Sequence, residues 1–432
     1  MFRDKAIETI DKSSLERLQL ENLKKTISCA QKTRFYKNRL SKTRIKSPDD
    51  IRSLKDLQDV PFTTKDDLRA CYPDGLLSVD KSDVVRLHTS SGTTGMPTVI
   101  YHTQADLDYW TELVSRGLTA CGVTKSDIFQ NMMTYGLFTG GLGLHYGAER
   151  LGALVIPAGA GNTRRQLQLM KDFHTTTLHA TPNYMLHIML KLAEFDISLK
   201  DLNLKKVFLG AEPYTENTRK KIEEFYHIDA YNCYGLSELN GPGVAMECEH
   251  KRDLHIWEDS YIVEIINPDT GEILKDGEAG ELVLTTLKRE ATPLLRYRSR
   301  DLTRILTDTC PCGRTHRRIS RITGRSDDML IINGVNVFPS QIEEILMKRP
   351  EVGTNYQIVV DQRESLDRLS IKVELYAKLF EGDIKVLERL RDSIAHEMKS
   401  TLLVGVHVEL HEPGSLPVSE GKAKRVVDER KN

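Results

Sequence analysis

Residues 88–98 read HTSSGTTGMPT, a stretch that brings two glycines, a proline and a run of hydroxyl side chains together. Glycine permits positive φ angles and a close approach of the backbone to a ligand. Successive backbone N–H groups in such a turn form a nest that binds anions, and hydroxyl groups add donors to phosphate oxygens. The stretch therefore predicts a phosphate-binding loop.

This loop differs from two well-known nucleotide-binding motifs. It lacks the Gly-Lys-Ser/Thr ending of the P-loop, and its glycines do not follow the G-x-G-x-x-G spacing of dinucleotide-binding folds. Because short motifs also occur by chance, an ordinary Ser/Thr/Gly loop stays open as the alternative interpretation at this point.

The sequence around the loop predicts an α/β fold. From about residue 84 to 330, short apolar runs bounded by Gly or Pro alternate with amphipathic stretches, as in a sheet whose strands are joined by helices. Residues 261–290 instead place strands and turns in succession, which favours a β meander. The predicted elements include buried strands at 151–157 and 205–210 and helices at 164–171 and 184–193.

The two ends of the chain have their own patterns. Residues 1–60 are charged and are predicted to be helical, because apolar residues such as Leu15, Leu23 and Ile27 recur at mostly helical spacing. Residues after 326 predict a second, smaller unit. Its expected elements are strands at 369–375 and 406–410, a helix at 383–399, and a helix that begins with a capping box at Ser340 and Glu343.

Composition narrows the class of protein. The 432 residues carry 61 Lys and Arg against 62 Asp and Glu, so the formal net charge is −1 and neither nucleic acid nor an anionic membrane is an expected partner. No apolar run reaches the ~18 residues of a membrane span. The charged N-terminus lacks the apolar segment of a secretory signal, which predicts a cytoplasmic protein. Seven scattered cysteines argue against a disulfide framework.

Further motifs, in the same order along the chain, resemble those of the adenylate-forming enzymes: the acyl- and aryl-CoA synthetases, luciferases and peptide-synthetase adenylation domains. They are YGLSE at 234–238, YRSRD at 297–301, GRSD at 324–327 and Gly421-Lys422. Within that superfamily the chain resembles the phenylacetate-CoA ligases over nearly its whole length. The segments that carry this likeness are residues 62–77, 135–153, 234–248 and 327–346.

This resemblance implies a fold and an activity. The fold is a large N-terminal α/β domain with β subdomains, residues 1–326, and a smaller mobile α+β domain, residues 327–432. The activity is ATP-dependent ligation of phenylacetate or a related aryl acid to CoA through an acyl-adenylate. The acid, ATP, Mg²⁺ and CoA are the implied substrates and cofactors, and a homodimer is the implied assembly. Transfer of AMP to a deazaflavin hydroxyl, or nucleotide binding without catalysis, are the alternatives.

The resemblance also assigns the ATP site residue by residue. Glu238 is expected to hold Mg²⁺, a hard cation that favours carboxylate oxygens. Asp301 is expected to accept hydrogen bonds from the ribose, with Arg325 nearby. The other residues of the expected ATP site are Ser90, Ser91, Gly92, Thr93, Thr94 and Gly95 at the phosphates, and Ala211, Glu212, Pro213, Asn232, Tyr234 and Gly235 towards the adenine.

Two positions belong to the expected mobile domain. Lys422 is expected to be the catalytic lysine, because an ammonium group stabilises charge that grows on the α-phosphate in the transition state. The alternative interpretation is that Lys422 belongs to a solvated basic tail without a catalytic role. Lys424 is the second candidate for the catalytic lysine. Asp327 matches the hinge, where backbone change is absorbed.

The acid is expected in a pocket formed by Met133, Tyr135, Phe138, Gly141, Ala211 and Pro242. Met133 stands where the family often has an aromatic residue. Methionine adapts to irregular shapes, so the pocket is expected to be apolar with a preference that differs from phenylacetate.

Cysteines and histidines predict a metal site. A C-x-C pair at Cys310 and Cys312, joined by Cys248 and His255, supplies four ligands of the kind that zinc takes in structural sites. His250 and His316 are the reserve ligands. The alternative is that these four side chains bind no metal and stay as free thiols and an imidazole in a reducing compartment.

Overall fold

The computed structural model describes residues 1–90, 96–363, 366–379, 384–417 and 425–431. Its helices begin where the sequence provides caps. Thr103 accepts the backbone N–H of Asp106, and the Asp106 carboxylate accepts the N–H of Thr103, which fixes the start of a long helix. The helices of the first 326 residues are α1 (Lys5–Glu8), α2 (Lys12–Lys32), α3 (Arg34–Leu40), α4 (Lys65–Ala70), α5 (Gln104–Ala120), α6 (Thr139–Leu151), α7 (Thr163–Asp172), α8 (Pro182–Lys191) and α9 (Glu216–Tyr226).

The strands of this part form three sheets. They are β1 (Arg86–Thr89), β2 (Val99–His102), β3 (Ile128–Asn131), β4 (Leu154–Ile156), β5 (Thr177–Ala180), β6 (Lys206–Leu209), β7 (Asp229–Tyr234), β8 (Ala245–Met246), β9 (Leu254–Ile256), β10 (Tyr261–Ile266), β11 (Gly280–Thr286), β12 (Tyr297–Thr303), β13 (Arg318–Ile319) and β14 (Gly324–Arg325). The central sheet has the order β13-β9-β8-β7-β6-β5-β3-β4, and its strands from β7 to β4 pair in parallel.

The parallel strands bring their carboxyl ends to one edge of the sheet, the place where ligands bind in open α/β folds. An antiparallel sheet of order β10-β11-β12-β14 and the β1–β2 hairpin complete this part. A shared apolar core, which includes Leu23, Ile27, Trp257 and Tyr261, joins the N-terminal helices to the antiparallel strands.

The C-terminal part has its own apolar core. Its elements are β15 (Leu330–Ile332), β16 (Val335–Val337), α10 (Pro339–Met347), β17 (Val352–Arg363), β18 (Leu366–Leu375), α11 (Ile384–Leu402), β19 (Val406–His411) and β20 (Val426–Asp428). The sheet order is β19-β18-β17-β20. Ile342 and Leu346 of α10 pack with Ile358, Ile371 and Ile394 in a cluster separate from the cores of the first part.

The mixed α/β class is confirmed, as are the predicted strands β4 and β6 and the predicted helices α7, α8 and α11. The predicted strand at 151–157 is shorter in the structure, because α6 extends to Leu151 and ends on Gly152 in a left-handed conformation. No helix in the described ranges is both long enough and apolar enough to cross a membrane.

The capping box predicted at Ser340 and Glu343 is wrong. Helix α10 begins at Pro339, which lacks an N–H and has a φ angle already suited to a first helical turn. The side chain of Gln341 therefore accepts the backbone N–H of Phe338, at 2.9 Å. Glu343 faces the large domain instead, where it accepts a hydrogen bond from Thr218 Oγ1 at 3.0 Å.

Candidate active site

The predicted phosphate loop joins β1 to β2, and its two ends are held together. Thr98 donates its backbone N–H to Ser90 Oγ at 3.1 Å, and Ser90 donates its N–H to the Thr98 carbonyl at 3.2 Å. The predicted loop residues Ser91, Gly92, Thr93, Thr94 and Gly95, and the predicted lysines Lys422 and Lys424, lie outside the described residues.

Glu238 is buried beside the base of this loop, with 4% of its surface exposed. Its Oε1 accepts a hydrogen bond from Thr98 Oγ1 at 3.1 Å and lies 3.7 Å from Lys65 Nζ. A carboxylate so close to a phosphate loop is suited to a Mg²⁺ ion that also contacts phosphate oxygens. Sequence reasoning missed Lys65 as a site residue, although the segment that contains it carries the family resemblance.

The turn that carries Glu238 is fixed by buried donors from three other elements. Arg289 donates to the Glu238 carbonyl and to Asn240 Oδ1. Tyr261 OH donates to the Leu239 carbonyl at 2.8 Å, and Trp110 Nε1 donates to the Pro242 carbonyl at 2.7 Å. These donors together hold the backbone of residues 238–242 in place. No sequence motif pointed to these donors.

Asp301 lies at the centre of a second polar group. Tyr234 OH donates to Asp301 Oδ2 at 2.5 Å, and Arg325 Nη1 lies 3.0 Å from Oδ1. Burial and the Asp301 charge raise the pKa of Tyr234 well above its ordinary value, so the phenol stays a hydrogen-bond donor. Arg325 also pairs with Asp327, with Nε 2.8 Å from Oδ1. The structure therefore brings four of the predicted site and hinge residues into direct contact.

The residues predicted near the adenine lie in the last part of β7 or directly after β6 and β7. Ala211 has a φ of +69°, a conformation that non-glycine residues seldom adopt. Glu212 accepts the backbone N–H of Asn183 at 2.9 Å, and Asn232 donates its N–H to Glu247 Oε2 at 2.7 Å. Pro213 directly follows Glu212 in the same loop. These side chains lie at the carboxyl edge of the parallel strands, the side on which the fold places ligands.

A cavity opens beside the Glu238 turn. Of the residues predicted for the acid pocket, Met133, Phe138, Ala211 and Pro242 line it. Gly235, predicted for the ATP site, also lines it, as do Thr139, Gly140, His179, Cys233, Ser237 and Gly241. Sequence reasoning missed His179 and Cys233, because an apolar strand pattern predicts burial but not which face meets a cavity.

Tyr135 and Gly141, also predicted for the acid pocket, are not among the residues that line this cavity. Both instead contact Asn131, whose Nδ2 donates to Tyr135 OH at 2.9 Å and to the Gly141 carbonyl at 2.6 Å. A Cβ atom at position 141 would lie 2.6 Å from the Thr134 carbonyl oxygen, which explains the glycine.

The predicted metal ligands converge. The ligand atoms of Cys248, His255, Cys310 and Cys312 all lie within 4.8 Å of one another, and the first three residues are buried. Hydrogen bonds from Cys248 and His255 hold the pKa of the Cys312 thiol well below its ordinary value. Three sulfur atoms and one imidazole form a donor set that zinc accepts in structural sites.

Neither reserve histidine belongs to this cluster. His316 Nδ1 accepts the backbone N–H of Glu258 at 3.0 Å, and its Nε2 lies 2.9 Å from the Ile7 carbonyl oxygen. Both ring nitrogens of His316 are therefore engaged elsewhere. His250 is likewise absent from the group of converging ligand atoms.

Comparison with known proteins adds independent findings. The family model described as AMP-binding enzyme matches residues 7–287, and the AMP-binding enzyme C-terminal domain matches residues 334–430. The phenylacetate-coenzyme A ligase of Thermus thermophilus is 44% identical over 447 residues, which cover 100% of both chains.

Among solved structures, the chain is similar to 2-hydroxyisobutyryl-CoA ligase in two states. In the postadenylation state with 2-HIB-AMP, that ligase is 28% identical with a TM-score of 0.92, over 99% of this chain and 92% of that one. In the thioesterification state with 2-HIB-AMP and CoA, the TM-score is 0.72 at 28% identity, over 100% of this chain and 93% of that one. The domain arrangement of this chain is thus more similar to the first state.

Proposed function

We infer that this chain, which belongs to the AMP-binding enzyme family and within it to the phenylacetate-CoA ligases, is an AMP-forming acid–thiol ligase for phenylacetate or a related aryl acid. Its substrates are the acid, ATP and CoA. One short turn supports this function most directly, because it lies between the cavity proposed for the acid and the loop proposed for the phosphates of ATP. Gly235 and Ser237 line the cavity for the acid, while the next residue, Glu238, lies at the base of the phosphate loop.

We propose the following roles in the first step. The acid carboxylate attacks the α-phosphorus of ATP, an acyl-adenylate forms, and pyrophosphate leaves. Glu238 would hold Mg²⁺, which when bound neutralises charge on the phosphates. Lys65, 3.7 Å from Glu238, supplies a further positive charge beside the phosphates, and Lys422 stabilises the α-phosphate oxygens. Asp301 accepts hydrogen bonds from the ribose.

In the second step the thiol of CoA attacks the acyl carbon, a thioester forms, and AMP leaves. Neither step uses a nucleophilic side chain, because the reacting groups belong to the substrates. The protein positions these groups and stabilises charge that develops on them.

We further propose a domain boundary between residues 326 and 327, with Asp327 as the hinge. A separate apolar core after residue 330 supports this boundary. Hydrogen bonds also cross this boundary, such as those from Thr218 Oγ1 to Glu343 and from Ser340 Oγ to the Thr323 carbonyl, and polar contacts of this kind can break when the small domain rotates.

We also propose that Cys248, His255, Cys310 and Cys312 bind one structural Zn²⁺. The convergence of their ligand atoms supports this site. With four protein ligands, no coordination position is left open for chemistry. The homodimer and the cytoplasmic location stay predictions.

Product analysis tests the proposed function. The protein is incubated with phenylacetate, ATP and MgCl₂, with and without CoA, and the products are identified by mass spectrometry. We expect phenylacetyl-CoA and AMP in equal amounts when CoA is present. An adenylyl group that appears on another acceptor, with no thioester, would contradict the ligase assignment.

A further inference from the structure

Asn131, at the end of β3, has an amide whose orientation is fixed by its neighbours. Its Nδ2 lies 2.6 Å from the Gly141 carbonyl oxygen, which can only accept a hydrogen bond. The atom that faces Gly141 is therefore the nitrogen. The other amide atom, Oδ1, accepts the backbone N–H of Met133 at 3.3 Å.

This orientation fixes the tautomer of His179, which follows on the neighbouring strand β5. His179 Nδ1 lies 2.9 Å from Asn131 Oδ1, and an amide oxygen only accepts, so Nδ1 carries the proton. In a neutral imidazole the other nitrogen, Nε2, then has a free lone pair. Burial lowers the pKa of His179 to about 3, so the ring stays neutral at physiological pH.

His179 is one of the residues that line the cavity beside the Glu238 turn. No hydrogen bond in the described part of the chain engages its Nε2. Met133, Phe138 and Pro242 make much of the same wall apolar. An acid bound there therefore finds a largely apolar surface in which His179 offers a hydrogen-bond acceptor.

We propose that His179 Nε2 accepts a hydrogen bond from a hydroxyl group on the ring of the aryl acid, so that the preferred substrate is a hydroxylated arylacetate rather than phenylacetate. This inference rests on the proposed function. A phenolic hydroxyl is protonated at neutral pH and donates to a neutral imidazole nitrogen. An acid with a methyl group in the same place leaves the buried acceptor without a partner, which costs binding energy.

Paired acids measure this preference. The 2-, 3- and 4-hydroxyphenylacetates are compared with the matching methylphenylacetates, which have similar size but no donor, through kcat/KM for thioester formation. At one ring position we expect the hydroxyl acid to be preferred by about tenfold or more. Equal kcat/KM for every pair, with activity on phenylacetate retained, would overturn the proposal for His179 and leave the ligase function intact. No activity on any aryl acid would overturn both.

Variants separate recognition from packing. His179→Leu removes the acceptor, and we expect the hydroxyl-to-methyl ratio to fall to about one. His179→Gln offers an amide oxygen as a new acceptor, and we expect it to restore part of the ratio. Met133→Leu, in the same wall, is the control, because it changes cavity shape without changing the acceptor.

The ratio of kcat/KM for the hydroxyl acid to kcat/KM for the methyl acid distinguishes a role of His179 in substrate specificity from a role in the fold. If His179 only supports the fold, His179→Leu lowers kcat/KM for both acids by the same factor and leaves the ratio unchanged. That result would overturn the proposal. A ratio that Met133→Leu abolishes as fully as His179→Leu would also overturn it.

Discussion

Asp301 and Arg325 lie opposite each other in the pairing of β12 with β14, and Arg325 Nη1 is 3.0 Å from Asp301 Oδ1. The same guanidinium binds Asp327, at the proposed hinge, through Nε and Nη2. One side chain therefore connects the carboxylate proposed for the ribose with the proposed hinge. Nucleotide binding and domain position can be coupled through this contact.

Asp301→Asn tests the ribose assignment. The variant removes a charge that two hydrogen-bond donors, Tyr234 and Arg325, both contact. Hydrogen bonds to charged groups contribute about 1.5–3 kcal/mol, so we expect KM for ATP to rise by about 10- to 100-fold. Asp328→Asn is the control, because Asp328 lies 3.7 Å from Arg325 Nε but is 60% exposed. An unchanged KM for ATP in Asp301→Asn would refute the role.

Glu343→Gln tests the contact between the domains. One carboxylate oxygen accepts from Thr218 Oγ1 and the Thr215 N–H of the large domain, and the other accepts from Tyr356 OH of the small domain. In a glutamine one of the two accepting oxygens is replaced by an NH₂ group, which would face a hydrogen-bond donor and lose that hydrogen bond. We expect acid-dependent ATP–pyrophosphate exchange to fall by about three- to tenfold, with thioester formation from supplied acyl-adenylate unchanged.

Glu344→Gln is the matched control for this prediction. Glu344 is the next residue of α10, is 57% exposed, and pairs with Lys348 on the same helix at 3.1 Å. Its loss should leave both half-reactions unchanged. Equal losses in the two half-reactions of Glu343→Gln would show that the contact stabilises the fold and does not select a domain position.

Lys422→Ala tests the proposed catalytic lysine. We expect adenylation to fall by about 10²- to 10³-fold, because charge on the α-phosphate loses its stabilising ammonium group. Thioester formation from a supplied acyl-adenylate should continue. Lys424→Ala is the control two residues away. Normal exchange in Lys422→Ala together with lost exchange in Lys424→Ala would transfer the role to Lys424.

The proposed zinc site predicts metal content and stability together. Protein purified without chelator should contain about one zinc per chain by elemental analysis. Cys312→Ser should lose the zinc and lower Tm by roughly 3 °C, as a loss of about 2 kcal/mol would do in a domain of about 330 residues with an unfolding entropy of about 2.1 cal/mol/K per residue. Cys71→Ser, a cysteine outside the cluster, is the control. A zinc content far below one equivalent would exclude the site.

The sequence predicted the features of this molecule that local chemistry determines. Apolar runs and amphipathic stretches located β6 and α7, and the C-x-C turn pointed to four side chains that converge in the structure. Contacts between distant segments escaped prediction. Lys65 and Glu238 are far apart along the chain, and they meet because the fold brings α4 to the base of the phosphate loop.

Two further features were not predicted from the sequence because they depend on neighbouring residues. The spacing of Ser340 and Glu343 fits a capping box, but the helix begins at Pro339, two residues earlier than that box requires, and Glu343 contacts the large domain instead. His179 reads as part of a buried strand. Only the position of Asn131 on the neighbouring strand reveals which of its nitrogens carries the proton.

Acid-dependent ATP–pyrophosphate exchange in the absence of CoA tests the acyl-adenylate mechanism most directly. The panel contains phenylacetate, its hydroxylated forms, indoleacetate, benzoate, fatty acids and short-chain acids. We predict exchange with at least one aryl acid, and release of AMP with formation of its thioester when CoA is then added. Exchange with none of these acids, under conditions in which the protein is folded and binds ATP, would contradict the account.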